Sequence, residues 1–172
     1  AAGKQLDMET IGGAVASVRS GMAQLTAETD EEAIAMARKI AAMLPANNLD
    51  EAVDLPMDDT NRTLAQFETI DTVSDVREVL RAVADLGDIV EMGEEFAPSM
   101  VTALGKIGGT TVGFIANQPS KDEGRLTVYG CKKAARFASF CDCFSIPIIS
   151  VVDSMGMKIS TAPQGELSRA GA

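Results

Sequence analysis

Two apolar runs, "SMVTALGKI" (99 to 107) and "TTVGFIANQ" (110 to 118), are separated by two residues only, Gly108-Gly109. A connection that short leaves no room for a crossover, so the runs must be antiparallel neighbours. The type I′ turn that joins such strands needs φ > 0 at both central positions, which glycine adopts at no steric cost. A hairpin is therefore predicted, with Asn117, Gln118 and Pro119 at its far end. Next comes "GCKKAARFASFCDCFSIP", with Ala134, Phe137, Ala138, Cys141 and Phe144 at helical spacing. "IPIISVVDS" follows as an unbroken apolar run of the kind buried on both faces of a sheet. Strand, strand, helix, strand defines an α/β layer. "IPIISVVD" is expected to be its central, fully buried strand beside the hairpin, and a helix or an exposed edge at Ile146 to Val152 would sink the α/β reading.

Upstream, "DMETIGGAVAS" reads as a short helical turn ended by Gly12-Gly13, and "GMAQLTAET" (21 to 29) alternates enough to be a strand. "TDEEAIAMARKIAAMLP" has Thr29 or Asp30 as N-cap, acids in the first turn, a stripe of Ile34, Ala37, Ile40, Ala41 and Leu44, and Pro45 as the stop. From Ala46 to about Ile70 the chain is acidic and without period, a long surface connection that suggests a domain boundary. "TVSDVREVLRAVADLGD" starts a second helix, with Ser74 capping, Val76, Val79, Leu80 and Val83 inward, and Gly87 past the end.

A chain of 172 residues buries roughly two thirds of its unfolded surface, enough for one domain with a core or two incomplete pieces. Aromatics are 4%, so that core is aliphatic. The net charge of −10, with no Lys/Arg block, makes nucleic acid and anionic membrane poor partners. No 18-residue apolar run or charged leader is present, and a cytoplasmic location is the expectation. Zero histidines remove the usual general base, the Ser-His-Asp and Cys-His arrangements and histidine metal sites, so no metal is expected. Cys141-x-Cys143 on a helix would point roughly 200° apart, which fits neither a disulfide framework nor a metal knuckle. All three cysteines read as small buried hydrophobes.

"MET-I-GGA" (8 to 14), "DVREVL" (75 to 80), "VGFIANQP" (112 to 119), "KAARFASFCDCFSIPIISVVD" (133 to 153) and, more weakly, "QGELSRAGA" (164 to 172) together resemble the carboxyltransferase subunits of biotin-dependent acyl-CoA carboxylases and decarboxylases, such as propionyl-CoA carboxylase beta chains. The resemblance implies two tandem crotonase-type domains, each a spiral of ββα units. Residues 1 to 60 would be the closing part of the N-terminal domain and 61 to 172 the opening half of the C-terminal one, both incomplete. It also implies biotin on a partner carrier protein, a coenzyme A thioester as substrate, a biotin carboxylase as a further partner, and a homo-oligomer. A histidine usual after the family's "GGA" is replaced by Val15-Ala16-Ser17, and where "VDVPGF" is usual, Asp153 is followed by Ser154-Met155-Gly156-Met157. The family's glycine-rich oxyanion motifs are expected upstream of Ala1 and downstream of Ala172, so the 172 residues alone are expected to be inactive.

In the implied reaction carboxybiotin releases CO2, the biotin enolate takes the α-proton of the acyl-CoA, and the thioester enolate attacks CO2. Backbone N–H donors stabilise both enolates, each worth roughly 2.7 to 4 kcal/mol, so a chain without histidine can run it. Asn117 and Gln118 end a strand, where side-chain amides can hold a carboxylate or urea group, or simply cap the strand. Lys132, Lys133 and Arg136 lie in the first turns of a helix, where cations oppose the macrodipole and can make a site for a CoA phosphate or carboxylate, or form a solvated face. The resemblance places that helix against the cleft and singles out Lys133 and Arg136. Asp153 ends a strand, as catalytic carboxylates and plain loop caps both do. Gly156, in the loop that replaces the usual "PGF", joins the candidate binding residues through the resemblance.

Overall fold

The computed structural model describes residues 7–45, 47, 58–59 and 75–158. Five helices and four strands run in the order α1 (Met8–Gly12), α2 (Ala14–Arg19), α3 (Asp30–Ala41), α4 (Val76–Val83), β1 (Ile89–Glu91), β2 (Met100–Ile107), β3 (Thr110–Asn117), α5 (Val128–Cys143) and β4 (Ile148–Val151). The strands form one sheet in the order β1-β2-β3-β4. β1, β2 and β3 are antiparallel neighbours, and β4 lies parallel to β3, reached through α5.

The hairpin forms as predicted. Gly108 and Gly109 have φ of 59° and 83°, the left-handed pair a type I′ turn requires. Asp85, itself buried, accepts from both of their N–H groups at 3.0 and 2.8 Å. Pairing runs from Met100↔Asn117 to Ile107↔Thr110, and this register sorts side chains by face. Val101, Ala103, Val112, Phe114 and Ala116 pack with Val76, Leu80 and Ala84 of α4. On the opposite face Leu104 packs with Val90, Phe137 and Cys141, with Ile146, and with Met43 at the end of α3. Gly113 lets α5 approach: a Cβ there would lie 2.6 Å from Cys141 Sγ. The sheet is thus covered by α4 on one side and by α5 plus the chain around Leu25 to Leu44 on the other.

Three expectations are corrected. "IPIISVVD" does form a strand, but β4 is the sheet edge, with Ile148 39% and Val152 77% exposed. Only Ile149 and Val151 reach the core, and no described strand pairs with its outer side. Residues 21 to 29 are not a strand. Gly21, at φ 75°, turns the chain after α2, and Met22 and Ala23 N–H both bond back to the Ser17 carbonyl, so no ladder partner is sought. The short helical turn does end at Gly12 with Gly13 as its cap, and a further short helix, α2, follows. Cys131 and Cys141 are buried but Cys143 is exposed, on the opposite side of α5, as its two-residue spacing from Cys141 dictates.

α3 is capped by Thr29, whose side chain accepts from Glu32 N–H, yet its stripe is shallow: Ile34 is exposed, and Ile40 is only partly buried. The cap of α4 is Asp75, while Ser74 and most of the stretch 46 to 70 lie outside the described residues. β1 adds an antiparallel strand ahead of the hairpin. No helix among the described residues is long and apolar enough to cross a membrane.

Candidate functional site

Parallel strands β3 and β4 end at the same edge of the sheet, and there two loops are laced together. Asn117, buried at the last position of β3, donates from Nδ2 to the Gly124 carbonyl at 2.8 Å. Asp122, Glu123 and Gly124 all have left-handed φ, of 52°, 55° and 66°. Left-handed non-glycine residues carry strain that only surrounding contacts hold in place. Those contacts come from the chain after β4. Met155 N–H donates to Glu123 O, Leu126 N–H to Gly156 O, Lys158 N–H to Leu126 O, and Lys158 pairs with Asp122. Asp153 and Gly156 lie exposed on this second loop, and the Ser154 hydroxyl bonds with Gly156 N and O. Three predicted site residues, Asn117, Asp153 and Gly156, are therefore brought together. Gly124, which joins them, drew no attention in the sequence; its signal was a glycine after two acids in a strand-to-helix loop.

Gln118 faces elsewhere. Fully buried, it accepts from Val76 N–H at 3.2 Å through Oε1 and donates to Asp75 Oδ1 at 2.7 Å through Nε2, so both ends of its amide are engaged at the start of α4. Asp75 also caps Arg77 N–H, and Arg77 forms a two-pronged pair with Glu91 at 2.6 and 2.8 Å. Burial pushes the Asp75 carboxyl up, but the Gln118 amide, the Arg77 N–H and the Arg77 charge outweigh it and hold it below the ordinary value. A polar line thus runs from the end of β3 through α4 to β1.

Lys133 is turned inward, whereas Arg136 is exposed and commits one guanidinium N–H to a backbone carbonyl. Lys133 is 5% exposed and donates from Nζ to the Phe96 carbonyl at 3.0 Å, and Arg136 donates to the Gly21 carbonyl at 2.8 Å. Gln24 adds a second donor to Gly21 O and accepts from Gly93 N–H at its own carbonyl. Together they fasten α5 to the 93–97 loop and to the turn after α2. Burial pulls the Lys133 ammonium down to about 8, with Glu91 and Glu94 opposing that drop and Arg77 adding to it. Lys132 stays at the surface over the exposed Tyr129 ring. No group of three or more Cys, Asp or Glu side chains among the described residues could hold a metal ion.

Residues 1–172, the whole of this chain, match the carboxyl transferase domain model. The chain belongs to the carboxyl transferase family. Within it, the chain is 36% identical over 168 residues to a propionyl-CoA carboxylase beta chain of Roseobacter denitrificans, covering 94% of this chain and 33% of that one. It is 38% identical over 160 residues to the methylmalonyl-CoA carboxyltransferase 12S subunit of Propionibacterium freudenreichii, covering 90% and 30%. A methylmalonyl-CoA decarboxylase subunit alpha of Veillonella parvula is 34% identical over 99% of this chain and 35% of its own length. The transcarboxylase 12S crystal structure, described as a hexamer with methylmalonyl-coenzyme A and methylmalonic acid bound, superposes with a TM-score of 0.91 at 33% identity, covering 98% of this chain and 34% of that one. A carboxyltransferase fold of the crotonase-like type is therefore present although β4 is an exposed edge, so the requirement that this strand be central was wrong and the α/β reading stands. The chain spans about a third of the length of these relatives.

Proposed function

We propose that this chain is part of a biotin-dependent acyl-CoA carboxyltransferase of the propionyl-CoA type, moving a carboxyl group between N1-carboxybiotin and the α-carbon of an acyl-CoA. The observation that carries the reading is the 0.91 superposition on a 12S structure whose described ligands are methylmalonyl-coenzyme A and methylmalonic acid. Its partners on this reading are a biotin carrier protein, a biotin carboxylase and further copies of itself, and the chain divides near residue 60 between two crotonase-type domains.

The loop edge holding Asn117, Asp153 and Gly156 is the part proposed to border substrate or biotin, since ligands of open α/β sheets sit beyond the carboxyl ends of parallel strands. Gln118, Lys133 and Arg136 serve that edge from behind: their polar atoms bond to Asp75, Phe96 and Gly21, and they hold α4, the 93–97 loop and the N-terminal segment in register. Biotin supplies a carrier for activated CO2. The described residues supply placement and shape, and enolate stabilisation falls to backbone N–H groups outside them.

A second reading, a decarboxylase running the transfer from acyl-CoA to biotin, is favoured by the Veillonella relative. Both are tested by purifying the full-length protein with its biotin carrier and following labelled carboxyl groups. Transfer from carboxylated carrier to propionyl-CoA supports the carboxylase. Transfer only from methylmalonyl-CoA to biotin supports the decarboxylase. Transfer in neither direction would leave a non-catalytic assembly subunit and overturn both.

A further inference from the structure

Gly124 is held from both sides at the site edge. Its carbonyl takes the Asn117 amide at 2.8 Å, and its Cα lies against the chain after β4. A Cβ at this position would fall far inside contact distance of the Asp153 carbonyl oxygen and 3.4 Å from Ser154 Cα. Gly156 is also left-handed, at φ 95°, but a Cβ there would meet nothing within 4 Å. The two glycines therefore serve different ends: Gly156 is required by its backbone angle, and Gly124 by closeness to Asp153 as well as by angle.

We infer that Gly124 is a positioning residue that sets the distance between the Asn117 end of β3 and the Asp153–Gly156 loop, and so fixes the width of the edge that receives the acyl-CoA or biotin carboxyl group. This rests on the carboxyltransferase reading for its substrate, but not for its geometry. A side chain at 124 must push the backbone at 153 to 154 outward. That would draw Met155 and Lys158 away from their acceptors and Gly156 O away from Leu126 N–H, because these three bonds join the same two loops. The hairpin, whose pairing lies on the other side of Asn117, would be left alone.

The test uses the full-length protein. In Gly124→Ala, hydrogen exchange at the Leu126, Met155 and Lys158 amides is expected to quicken about ten-fold while amides paired between β2 and β3 keep their protection. KM for the acyl-CoA is expected to rise about ten-fold, with kcat falling less, since a displacement of roughly an ångström at a binding edge is felt strongly. Gly124→Asn separates angle from contact: asparagine tolerates left-handed φ, so Asn should fail as Ala does. Recovery by Asn would overturn the close-approach argument. Faster exchange with unchanged KM would overturn the positioning role. If Gly124→Ala does not fold, Asn117→Ala, which removes the donor to Gly124 O, should show the same quickened exchange at about three-fold. Unchanged exchange in that variant would also overturn the proposal. A wild-type protein that transfers no carboxyl group overturns the proposed function instead, and the exchange result still decides whether Gly124 sets the spacing of the loops.

Discussion

Replacing Lys133 by methionine should make the protein's stability less dependent on alkaline pH, and the size of the change follows from its surroundings. The ammonium is 5% exposed with the Phe96 carbonyl as its hydrogen-bond acceptor, and burial lowers it from the ordinary 10.5 to about 8. That drop corresponds to about 3 kcal/mol of folding free energy spent on keeping a buried charge. Because the folded-state value is the lower one, the unfolded chain binds more protons between the two values, and stability rises with pH across that window. The penalty is fully present below about pH 8 and is gone above about pH 10.5. Methionine keeps the unbranched stem and titrates nowhere. The difference in unfolding free energy between wild type and Lys133→Met should therefore shift in favour of wild type by about 2 kcal/mol from about pH 7 to about pH 9.5. Urea titrations followed by far-ultraviolet circular dichroism at several pH values measure it, and groups common to both chains cancel in the difference. A difference flat with pH, or one moving against wild type as pH rises, would show that the buried ammonium is not desolvated and would refute the reasoning.

Gln118→Leu fills the same space but leaves Val76 N–H and Asp75 without their partner, and should cost about 2 to 4 kcal/mol in a denaturant titration. The same variant should lose less stability than wild type on acidification, because the amide helps hold Asp75 below its ordinary value and wild type loses that contribution as pH falls through it. Arg77→Met strands Glu91, whose side chain is 12% exposed, and is expected to destabilise by about 3 kcal/mol, whereas the double variant Arg77→Met/Glu91→Leu should recover most of that loss; a double-mutant cycle checks both. Iodoacetamide at neutral pH should label Cys143 in the native protein and spare Cys141, which is buried with its thiol pushed up to about 11; mass spectrometry of the digest reads the sites.

Turn chemistry made the hairpin legible, since Gly108 and Gly109 suit the tight left-handed turn of a two-residue connection. Periodicity made α4 and α5 legible, because Val76, Leu80, Phe137 and Cys141 had to share faces. The depth of β4 was not legible. An apolar run reports that a strand has hydrophobic faces, and whether another strand lies beyond it is settled by partners far away in sequence. Residues 21 to 29 misled because alternation is common by chance in short stretches. What holds this segment in place is Arg136 and Gln24 meeting at one carbonyl, a bond to α5 that no local pattern announces. Lys133 could have been found inside. It sits four residues before Phe137 and eight before Cys141, on the buried stripe of α5, and a lysine on such a stripe must bring its charge to an internal acceptor. Asn117 and Asp153 could be named from the sequence, but their meeting through Gly124 depends on loop geometry.

The parallel seat of β4 on β3 implies an order in which the chain assembles as it is synthesised. β2 and β3 are joined by two residues, and an isolated hairpin closes in roughly 1 to 10 μs, so their pairing can begin as soon as Asn117 has emerged. The Gly113↔Ile148 and Ala116↔Val151 pairs wait for the whole of α5 to be made and folded across the sheet. Until then the β4-facing side of β3 is bare, with Phe114 and Ala116 on a strand that has only one neighbour, and the nascent chain is most open to pairing with another. We predict that a pause at which the chain has emerged only to about residue 140 leaves an aggregation-prone intermediate, while a pause at which it has emerged beyond about residue 158 does not. Stalled ribosome complexes of the two lengths, compared by protease sensitivity at β3, would test the sequence of events.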